Sequence, residues 1–336
     1  MPDTPNPTDG SIYDGREFHN LDGVPAGRSF LEFLRWKLLG RRPNPWPDRP
    51  RGHTFAPALP TTLAGGEMAA TLVGHSTFLL QFAGGVNVLT DPIWSERASP
   101  VSFSGPRRAR PPAISFEELP SVGLVLISHG HYDHMDLPTL RRLEERFSPV
   151  FVTGLRQGGL LRRQGLRRVE ELDWWQSWSG GDAGTAGLKI TFTPAQHWNL
   201  RTPPLRNRAL WGGFWLQQKG MSAFFSGDTG FGRHFSLVRE RLGRPRVAFL
   251  PIGAYEPRWF MGIQHMNPDD AVRAHLALGA RRSLAMHFGT FQLTEEAFDA
   301  PAHELAAALR THSVDPECFQ VPGFGQTKRF GENADP

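Results

Sequence analysis

The sequence predicts an α/β fold, in which short strands alternate with helices and two similar halves form a sandwich. Apolar runs of strand length recur along the chain, and several precede segments whose apolar residues repeat with helical spacing. Each half contains strands followed by helices. Four of the apolar runs are followed closely by a histidine or an aspartate. Because an α/β sandwich can bring strand ends together at one edge, these side chains are expected to form one site.

Composition is typical of a soluble globular protein of one large domain or two ordinary ones. The chain has 336 residues, 39% of them hydrophobic and 21% charged, with a formal net charge of +4. No run of eighteen apolar residues is present, and residues 1–10 lack the apolar core of a secretory signal. The single cysteine, Cys318, excludes an intramolecular disulfide, which favours a cytoplasmic location with peripheral contact at a membrane surface as an option.

The N-terminal region is expected to be an extension over 1–50 that precedes a catalytic domain over 51–330. Residues 1–28 are predicted to be a poorly ordered polar lead. A short amphipathic helix is predicted over 29–39, ended by Gly40, with one face formed by Phe30, Leu31, Leu34 and Leu38. Such a helix can lie on a membrane or dock on its own domain, and docking is favoured because eleven residues bind a bilayer poorly alone.

The remaining elements follow in order. A meander and then further strands are predicted over 69–73, 78–82, 86–89, 122–127, 150–153, 189–193, 222–226, 247–251 and 283–286. Asp136 is expected to cap one helix, Asn267 a second that ends at Gly279, and Thr294 is expected to open the last. The loop over 94–112 is expected to cover another part of the protein.

A metal-ligand cluster follows the strand over 122–127. Its residues are His129, His131, Asp133 and His134, and later strand ends add His197, Asp228 and His287. Imidazole nitrogen and carboxylate oxygen are ligands that zinc prefers, although iron or manganese also fits them. Seven candidates are enough for two divalent ions with one bridging group. A chance run of surface histidines is the alternative, and thirteen histidines in 336 residues make it improbable.

The same residues resemble the metallo-β-lactamase fold superfamily. The resemblance implies a four-layer αββα sandwich with a dinuclear metal site at one sheet edge. It also implies that His129, His131 and His197 hold the first ion. Asp133, His134 and His287 would then hold the second ion, with Asp228 as the bridge.

Further motifs resemble the N-acyl-phosphatidylethanolamine phospholipase D family over about residues 30–330. They lie at 33–36, 90–95, 105–108, 196–198, 210–214, 226–230, 253–261 and 264–268. The most specific are Tyr255-Glu256-Pro257-Arg258-Trp259 and Gln264-His265-Met266. The resemblance implies hydrolysis of a phosphodiester lipid on the alcohol side of phosphorus, giving phosphatidic acid and an N-acylethanolamine.

Two residues are candidates for catalysis beyond metal binding. His265, not a ligand in the family pattern, is expected to protonate the leaving alkoxide or to bind the phosphate. The alternative is a histidine that only precedes the Asn267 helix cap. Asp133 is also counted as catalytic, as a ligand rather than a general acid. His75 is expected either to support the ligands or to pack in the core.

Aromatic residues near the ligand segments are candidates for binding acyl chains, and ordinary packing is the alternative. They are Trp94, Trp198, Tyr255, Trp259 and Phe260, with Trp211 as a further member. The expected substrate is a phospholipid or another phosphodiester. Nucleic acid is not expected as a partner, and the oligomeric state is left open, with a homodimer as one option.

Three other functions compete with the lipid hydrolase. The same site could open a lactone or another ester, and arginines at 107–110 and 156–168 would suit a nuclease. A non-catalytic lipid-binding module belongs to a different class. Seven intact ligand candidates argue against it.

Overall fold

Two seven-stranded β-sheets form the centre of the protein in a computed structural model that describes residues 10–40, 45–47, 54–182, 184–202 and 205–331. The first sheet has the order β16-β3-β4-β5-β6-β7-β8, and the second has the order β15-β14-β13-β12-β11-β10-β9. The first contains Met68–Gly74 (β3), Thr77–Phe82 (β4), Val86–Thr90 (β5), Leu124–Ile127 (β6), Val150–Gly154 (β7), Val169–Leu172 (β8) and Thr327–Phe330 (β16). The second contains Ser177–Ser179 (β9), Lys189–Thr193 (β10), Gly213–Gln218 (β11), Met221–Phe225 (β12), Val247–Pro251 (β13), Arg282–Met286 (β14) and Phe319–Gln320 (β15).

Helices cover the outer face of each sheet, so the layers run αββα. Phe30–Leu39 (α1) precedes both sheets. The others are Leu137–Phe147 (α2), Gly158–Arg163 (α3), His234–Leu242 (α4), Arg258–Met261 (α5), Pro268–Leu278 (α6) and Ala300–Thr311 (α7). Alternate residues of β6 show the layering: Leu124 and Leu126 lie in the core between the sheets, whereas Val125 and Ile127 lie in the core that includes Leu140 and Leu143 of α2. The strands are therefore apolar on both faces, and the predicted fold class is confirmed.

Helix boundaries follow local capping, with two corrections, at Asp136 and at Thr294. Asn267 caps α6 by accepting a hydrogen bond from the backbone of Asp270, and Gly279 ends it in the left-handed conformation. Asp136 occupies the cap position of α2, but its carboxylate accepts hydrogen bonds from the Ser95 backbone and the Thr139 hydroxyl instead. The last helix begins at Ala300 rather than at Thr294, because the Thr294 hydroxyl donates to Glu296 in an irregular segment.

The expectation of a poorly ordered lead is wrong for residues 10–28. Two short strands, Ile12–Tyr13 (β1) and Phe18–His19 (β2), pair there, and Phe18 and Leu21 are buried in the core between the sheets. The part of the lead before Gly10 lies outside the described residues. The division at residue 50 stays a prediction, and the apolar contacts show that the extension packs against the domain.

Helix α1 docks on its own chain, but not through the predicted apolar face. Trp36 stacks on Phe260 with ring centroids 4.8 Å apart, and its indole nitrogen donates to Glu295 at 2.6 Å. The predicted face is exposed, with fractional exposures of 73% for Phe30, 75% for Leu31, 40% for Leu34 and 72% for Leu38. In the described ranges, no helix is long and apolar enough to cross a membrane.

Candidate metal centre

All seven predicted ligand candidates lie together at one edge of the sandwich. Four of the strands involved, β6, β10, β12 and β14, end near this edge, and the loops after them contain the seven side chains. Strands β12 and β14 are both parallel to β13, and β10 runs in the same direction as β12 because both are antiparallel to β11. Their carboxyl ends therefore meet, as the spacing of the sequence predicts.

One group consists of His129, His131 and His197, here called the three-histidine cluster. The Nδ1 atom of His131 lies 2.8 Å from His129 Nε2 and 3.2 Å from His197 Nε2. His129 and His197 are buried, and His131 is partly exposed. The three nitrogens converge on one point.

The second group, here called the mixed cluster, consists of Asp133, His134 and His287. Asp133 Oδ2 lies 3.3 Å from His134 Nε2 and 3.4 Å from His287 Nε2. The ring planes of His134 and His287 are nearly parallel, at 14°. This group combines two imidazoles with a carboxylate.

Asp228 lies beside both groups. Its Oδ2 atom is 3.1 Å from His134 Nε2 and 3.0 Å from His287 Nε2, and Asp228 shares a candidate metal-binding group with His197 and His265. His265 Nδ1 lies 3.9 Å from the same oxygen and is buried without a hydrogen-bond partner among the described residues. The position of Asp228 suits the predicted bridge, and His265 borders the centre.

Sequence analysis missed Asp91, which supports both clusters. Its carboxylate accepts hydrogen bonds from His134 Nδ1 at 2.7 Å and from the Ser128 hydroxyl at 2.6 Å. Since the single Ser128 hydroxyl hydrogen is used on Asp91, the neighbouring His129 Nδ1–H donates to Ser128 Oγ, 2.9 Å away. Both Nε2 lone pairs are thereby directed into the centre. Asp91 directly follows β5, so the strand-end rule used for the other residues could have found it.

His75 also belongs to the centre. This residue lies in the turn between β3 and β4 with a positive φ of 53°, and its Nε2 is 3.0 Å from Asp133 Oδ2. Its backbone N–H donates to Thr290 Oγ1, and its carbonyl accepts from the His287 backbone. The ring lies 4.1 Å from that of His287. Of the two expectations for His75, support of the ligands is the one that the geometry favours.

His197 is held from two sides. Its Nδ1–H donates to the Gln264 carbonyl at 2.9 Å, which leaves the Nε2 lone pair facing the cluster. The side-chain amide of Asn20 bonds to both backbone polar groups of His197, at 2.9 Å and 3.0 Å. Asn20 therefore connects the N-terminal extension to a ligand candidate, and no sequence signal distinguishes this asparagine.

The charges of the two clusters differ when no ion is bound. Burial lowers the pKa of His131 to about 3 and that of His197 to about 4, so the three-histidine cluster is uncharged. Burial also opposes charge on His287, but Asp228 and Asp133 outweigh it and raise its pKa to about 9. The neighbouring His134 and His287 in turn hold the pKa of Asp228 well below its usual range. The mixed cluster is thus a set of ion pairs.

The unsatisfied atoms of the centre fit divalent metal ions. Two Nε2 lone pairs face His131 Nδ1, and at most one hydrogen lies between these three nitrogens, so their convergence fits a bound cation. Among the described residues, His134 Nε2, His287 Nε2 and Asp228 Oδ1 are buried without hydrogen-bond partners. Three imidazoles on one side and a mixture of imidazole and carboxylate on the other form a donor set that zinc accepts.

The aromatic candidates lie in different places. Trp198 borders the centre, with its ring 4.6 Å from that of His131. Trp259 is 45% exposed at α5, Phe260 is buried under Trp36, and Tyr255 is buried. The structure does not bring Trp94 to the centre: its ring packs on Phe116 in the outer core, since its indole nitrogen donates to the Ile114 carbonyl.

Arginines that suggested a nuclease are engaged within the protein. Arg162 pairs with Glu171, Arg167 with Glu144 and Arg168 with Asp182. Arg108 donates to the carbonyls of Ser95 and Ile93. These contacts reduce the positive charge available to a polyanion.

Comparison with known proteins agrees with this geometry. The beta-lactamase superfamily domain matches residues 86–288. N-acyl-phosphatidylethanolamine-hydrolyzing phospholipase D 1 of Caenorhabditis elegans is 38% identical over 244 residues, covering 70% of this chain and 68% of the relative. An uncharacterized protein of Mycobacterium tuberculosis is 36% identical over 323 residues, covering 93% and 81%. A metallo hydrolase structure from Ignicoccus hospitalis, 22% identical, superposes with a TM-score of 0.59 over 79% of this chain and 98% of its own.

Proposed function

This chain belongs to the metallo-β-lactamase superfamily, and within it to the family of the N-acyl-phosphatidylethanolamine phospholipases D, and we propose that it hydrolyses N-acyl-phosphatidylethanolamine. The chain is a metal-dependent hydrolase by family. The substrate, the products N-acylethanolamine and phosphatidic acid, and the residue roles below are the proposal. The observation behind it is the pair of ligand clusters that meet at Asp228, with His265 beside them, whose Nδ1 has no hydrogen-bond partner among the described residues.

The three-histidine cluster would hold one ion, the mixed cluster a second, and Asp228 would contact both. Zinc suits these donors best, with iron or manganese as alternatives. When bound, a pair of such ions lowers the pKa of water and offsets negative charge on a phosphodiester.

Hydrogen bonds within the protein fix the orientation of the imidazole ligands. Asp91 holds the Nδ1–H of His134 directly and that of His129 through Ser128, and the Gln264 carbonyl holds that of His197. The rings of these imidazoles are therefore already oriented with Nε2 toward the centre, and pre-set groups of this kind stabilise charge without a reorganisation cost during the reaction.

His265 is our candidate for contact with the substrate phosphate. Its Nδ1 is buried, unpaired among the described residues and 3.9 Å from Asp228 Oδ2, so a phosphate at the centre would lie within reach of this ring. The His265 backbone is fixed, because its N–H donates to Met261 and its carbonyl accepts from Arg258. In the reaction an oxygen–phosphorus bond forms with water, the bond to the ethanolamine oxygen breaks, and that oxygen takes up a proton.

The lipid side of the substrate would contact the exposed surface next to the centre. Trp198 lies against His131, and its ring faces the Arg206 guanidinium at 5.0 Å. This pairing suits the boundary between an acyl chain and a phosphate.

Hydrolysis of detergent-dispersed N-acyl-phosphatidylethanolamine by zinc-loaded protein tests the proposal. We expect N-acylethanolamine and phosphatidic acid in equal amounts from the wild type. Asp228→Asn should lower the rate by at least about a hundredfold, the upper end of the cost of changing a residue that only supports a ligand. Bis(p-nitrophenyl) phosphate and a lactone serve as comparison substrates.

One result would contradict the lipid assignment. A preparation that holds two ions per chain and cleaves bis(p-nitrophenyl) phosphate, but releases no N-acylethanolamine, would keep the centre and exclude this substrate. Faster turnover of the lactone than of either phosphodiester would favour an ester hydrolase instead.

A further inference from the structure

Helix α1, which packs on α5 through Trp36, presents an apolar face to solvent. Phe30, Leu31 and Leu38 are each more than 70% exposed, and Leu34 is 40% exposed. Ordinary surfaces expose single apolar residues, whereas four on one short helix form a patch that is typical of an interaction site.

The order of residues around α1 is that of a helix lying in a membrane interface. With about 100° between successive residues, Phe30, Leu31, Leu34 and Leu38 fall within an arc of about 100°. Arg35 and Lys37 lie just beyond the two edges of this arc, and Trp36, which packs on Phe260, lies on the opposite side. Long basic side chains that flank an apolar face can reach the phosphate groups of a bilayer while the face enters it.

The charged residues of α1 favour an anionic lipid surface as the binding partner of its exposed face. The only acidic residue of α1, Glu32, is paired with Arg28 at 3.0 Å and also forms the capping box with Ser29. Arg35 and Lys37 have cation–π contacts with Trp259 and Trp36 but no carboxylate partner among the described residues. The exposed part of the helix is therefore both apolar and cationic.

The helix is already formed and firmly attached, which compensates for its short length. Its capping box satisfies the first turn, and the Arg28 guanidinium donates to the carbonyls of Trp259 and Phe260 at the end of α5. A preformed helix does not need to fold on binding, so less binding free energy is lost to ordering. The segment after α5 contains Gln264 and His265, so α1 lies close to the centre along the chain that it contacts.

We propose that α1 is a membrane-docking element that places its face of Phe30, Leu31, Leu34 and Leu38 in the outer part of an anionic bilayer. The choice of a lipid bilayer as the partner of this face rests on the proposed phospholipid substrate. Docking through this face would hold the centre near the surface from which that substrate is taken.

Co-sedimentation of the zinc-loaded full chain with phosphatidylglycerol and phosphatidylcholine vesicles tests the proposal. We expect binding to phosphatidylglycerol vesicles and a loss of at least about a hundredfold in Leu31→Asp/Leu38→Asp, since each of the two leucines contributes at least a factor of about ten when buried. In Arg35→Gln/Lys37→Gln, we expect about a fivefold loss per charge on anionic vesicles only. Leu276→Asp, on α6 and 46% exposed, is the matched control and should bind as the wild type does.

Three results from the binding and assembly measurements would each overturn the docking proposal: equal vesicle binding by the α1 variants and the wild type, an equal loss in Leu276→Asp, or a wild-type dimer without lipid that the α1 substitutions dissociate. All variants should cleave bis(p-nitrophenyl) phosphate at the wild-type rate, which shows that they fold. Vesicle binding without any lipid hydrolysis would reject the proposed substrate and leave docking intact. Unchanged hydrolysis of vesicle substrate by the α1 variants would reject docking and leave the substrate intact.

Discussion

The three-histidine cluster and the mixed cluster lie side by side, yet they differ in charge and in their supports. Burial keeps the pKa of His131 and His197 low, so the first cluster consists of neutral donors. In the second, the carboxylates of Asp133 and Asp228 face His134 and His287, and the pKa of each of these two histidines is raised. Without a bound ion, the three-histidine cluster therefore has free nitrogen lone pairs, whereas the mixed cluster contains opposite charges that offset one another.

The supports differ in the same way. His197 is held by neutral amide groups, from Asn20 and the Gln264 carbonyl, whereas His134 is held by the Asp91 carboxylate and Asp133 by His75. Among the described residues, only Asp91 supports both clusters: it bonds to His134 directly and is connected to His129 through Ser128. Because their supports differ, two adjacent ions are expected to bind with different affinity, and single substitutions should affect one ion more than the other.

The largest effect is expected from His265→Ala, which removes a group that belongs to neither cluster. Loss of a hydrogen bond to the phosphate should lower kcat/KM by about a hundredfold for both the lipid and bis(p-nitrophenyl) phosphate. Metal content should stay at the wild-type value. A much larger loss for the lipid, whose leaving alkoxide needs a proton, would instead make His265 the proton donor, and loss of metal would make it a ligand.

Asp91→Asn should weaken metal binding at both clusters, because one carboxylate orients His134 and, through Ser128, His129. A loss of about 10- to 100-fold in zinc affinity is expected, measured by competition with a chromophoric chelator. Asp136→Asn, which removes a buried carboxylate bonded to Ser95 and Thr139, is the control. Weaker binding of only one ion would show that the Ser128 connection is not used.

His75→Ala should affect the mixed cluster alone. It removes the ring nitrogen that lies 3.0 Å from Asp133 Oδ2, so we expect about tenfold weaker binding of one ion. Cobalt substitution gives a spectrum for each bound ion, and only one should change. Equal changes in both spectra would point to a general loosening of the fold.

Asn20→Ala is the counterpart for the three-histidine cluster. It removes two hydrogen bonds to the His197 backbone and should reduce the affinity for the other ion by about tenfold, the lower end of the cost of changing a residue that supports a ligand. The control Asn87→Ala also removes a side-chain bond to a backbone carbonyl, in this case that of Ser121. A change at the mixed cluster would contradict the division into two separately supported groups.

The last prediction concerns the effect of pH on stability through two buried histidines outside the centre, His234 and His275. Their behaviour is a reference for the buried histidines of the two clusters. Burial lowers the pKa of His234 to about 3 and that of His275 to about 4, against about 6.5 when unfolded. The unfolded chain therefore binds more protons below pH 6.5, so stability falls as the pH decreases. Each histidine should cost about 2 kcal/mol between pH 6.5 and pH 5.

Urea unfolding at these two pH values checks this expectation. His275→Gln should lose less stability on acidification than the wild type, whereas His303→Gln, at an exposed position, should behave as the wild type does. An equal pH dependence in all three proteins would show that His275 does not remain neutral in the folded state.

The sequence by itself determined the fold class, most strands and the position of the seven ligand candidates. Strand β6 is a continuous apolar run because both of its faces are buried, and polar residues directly after such a run must lie at the sheet edge. Local capping signals were equally readable at Asn267 and Gly279. These features depend on residues that are close together in the chain.

Tertiary structure alone decided the supports of the centre and the exposed face of α1. Asn20 contacts His197 across 177 positions, and His75 contacts Asp133 across 58, so neither pairing leaves a periodic signal. Thr294 resembled a helix start, but its hydroxyl bonds to Glu296 and the helix begins later. For α1, periodicity identified an apolar face correctly. Trp36 determined which side of the helix packs on the domain, because its ring stacks on Phe260 and its indole nitrogen donates to Glu295, both more than 200 residues away.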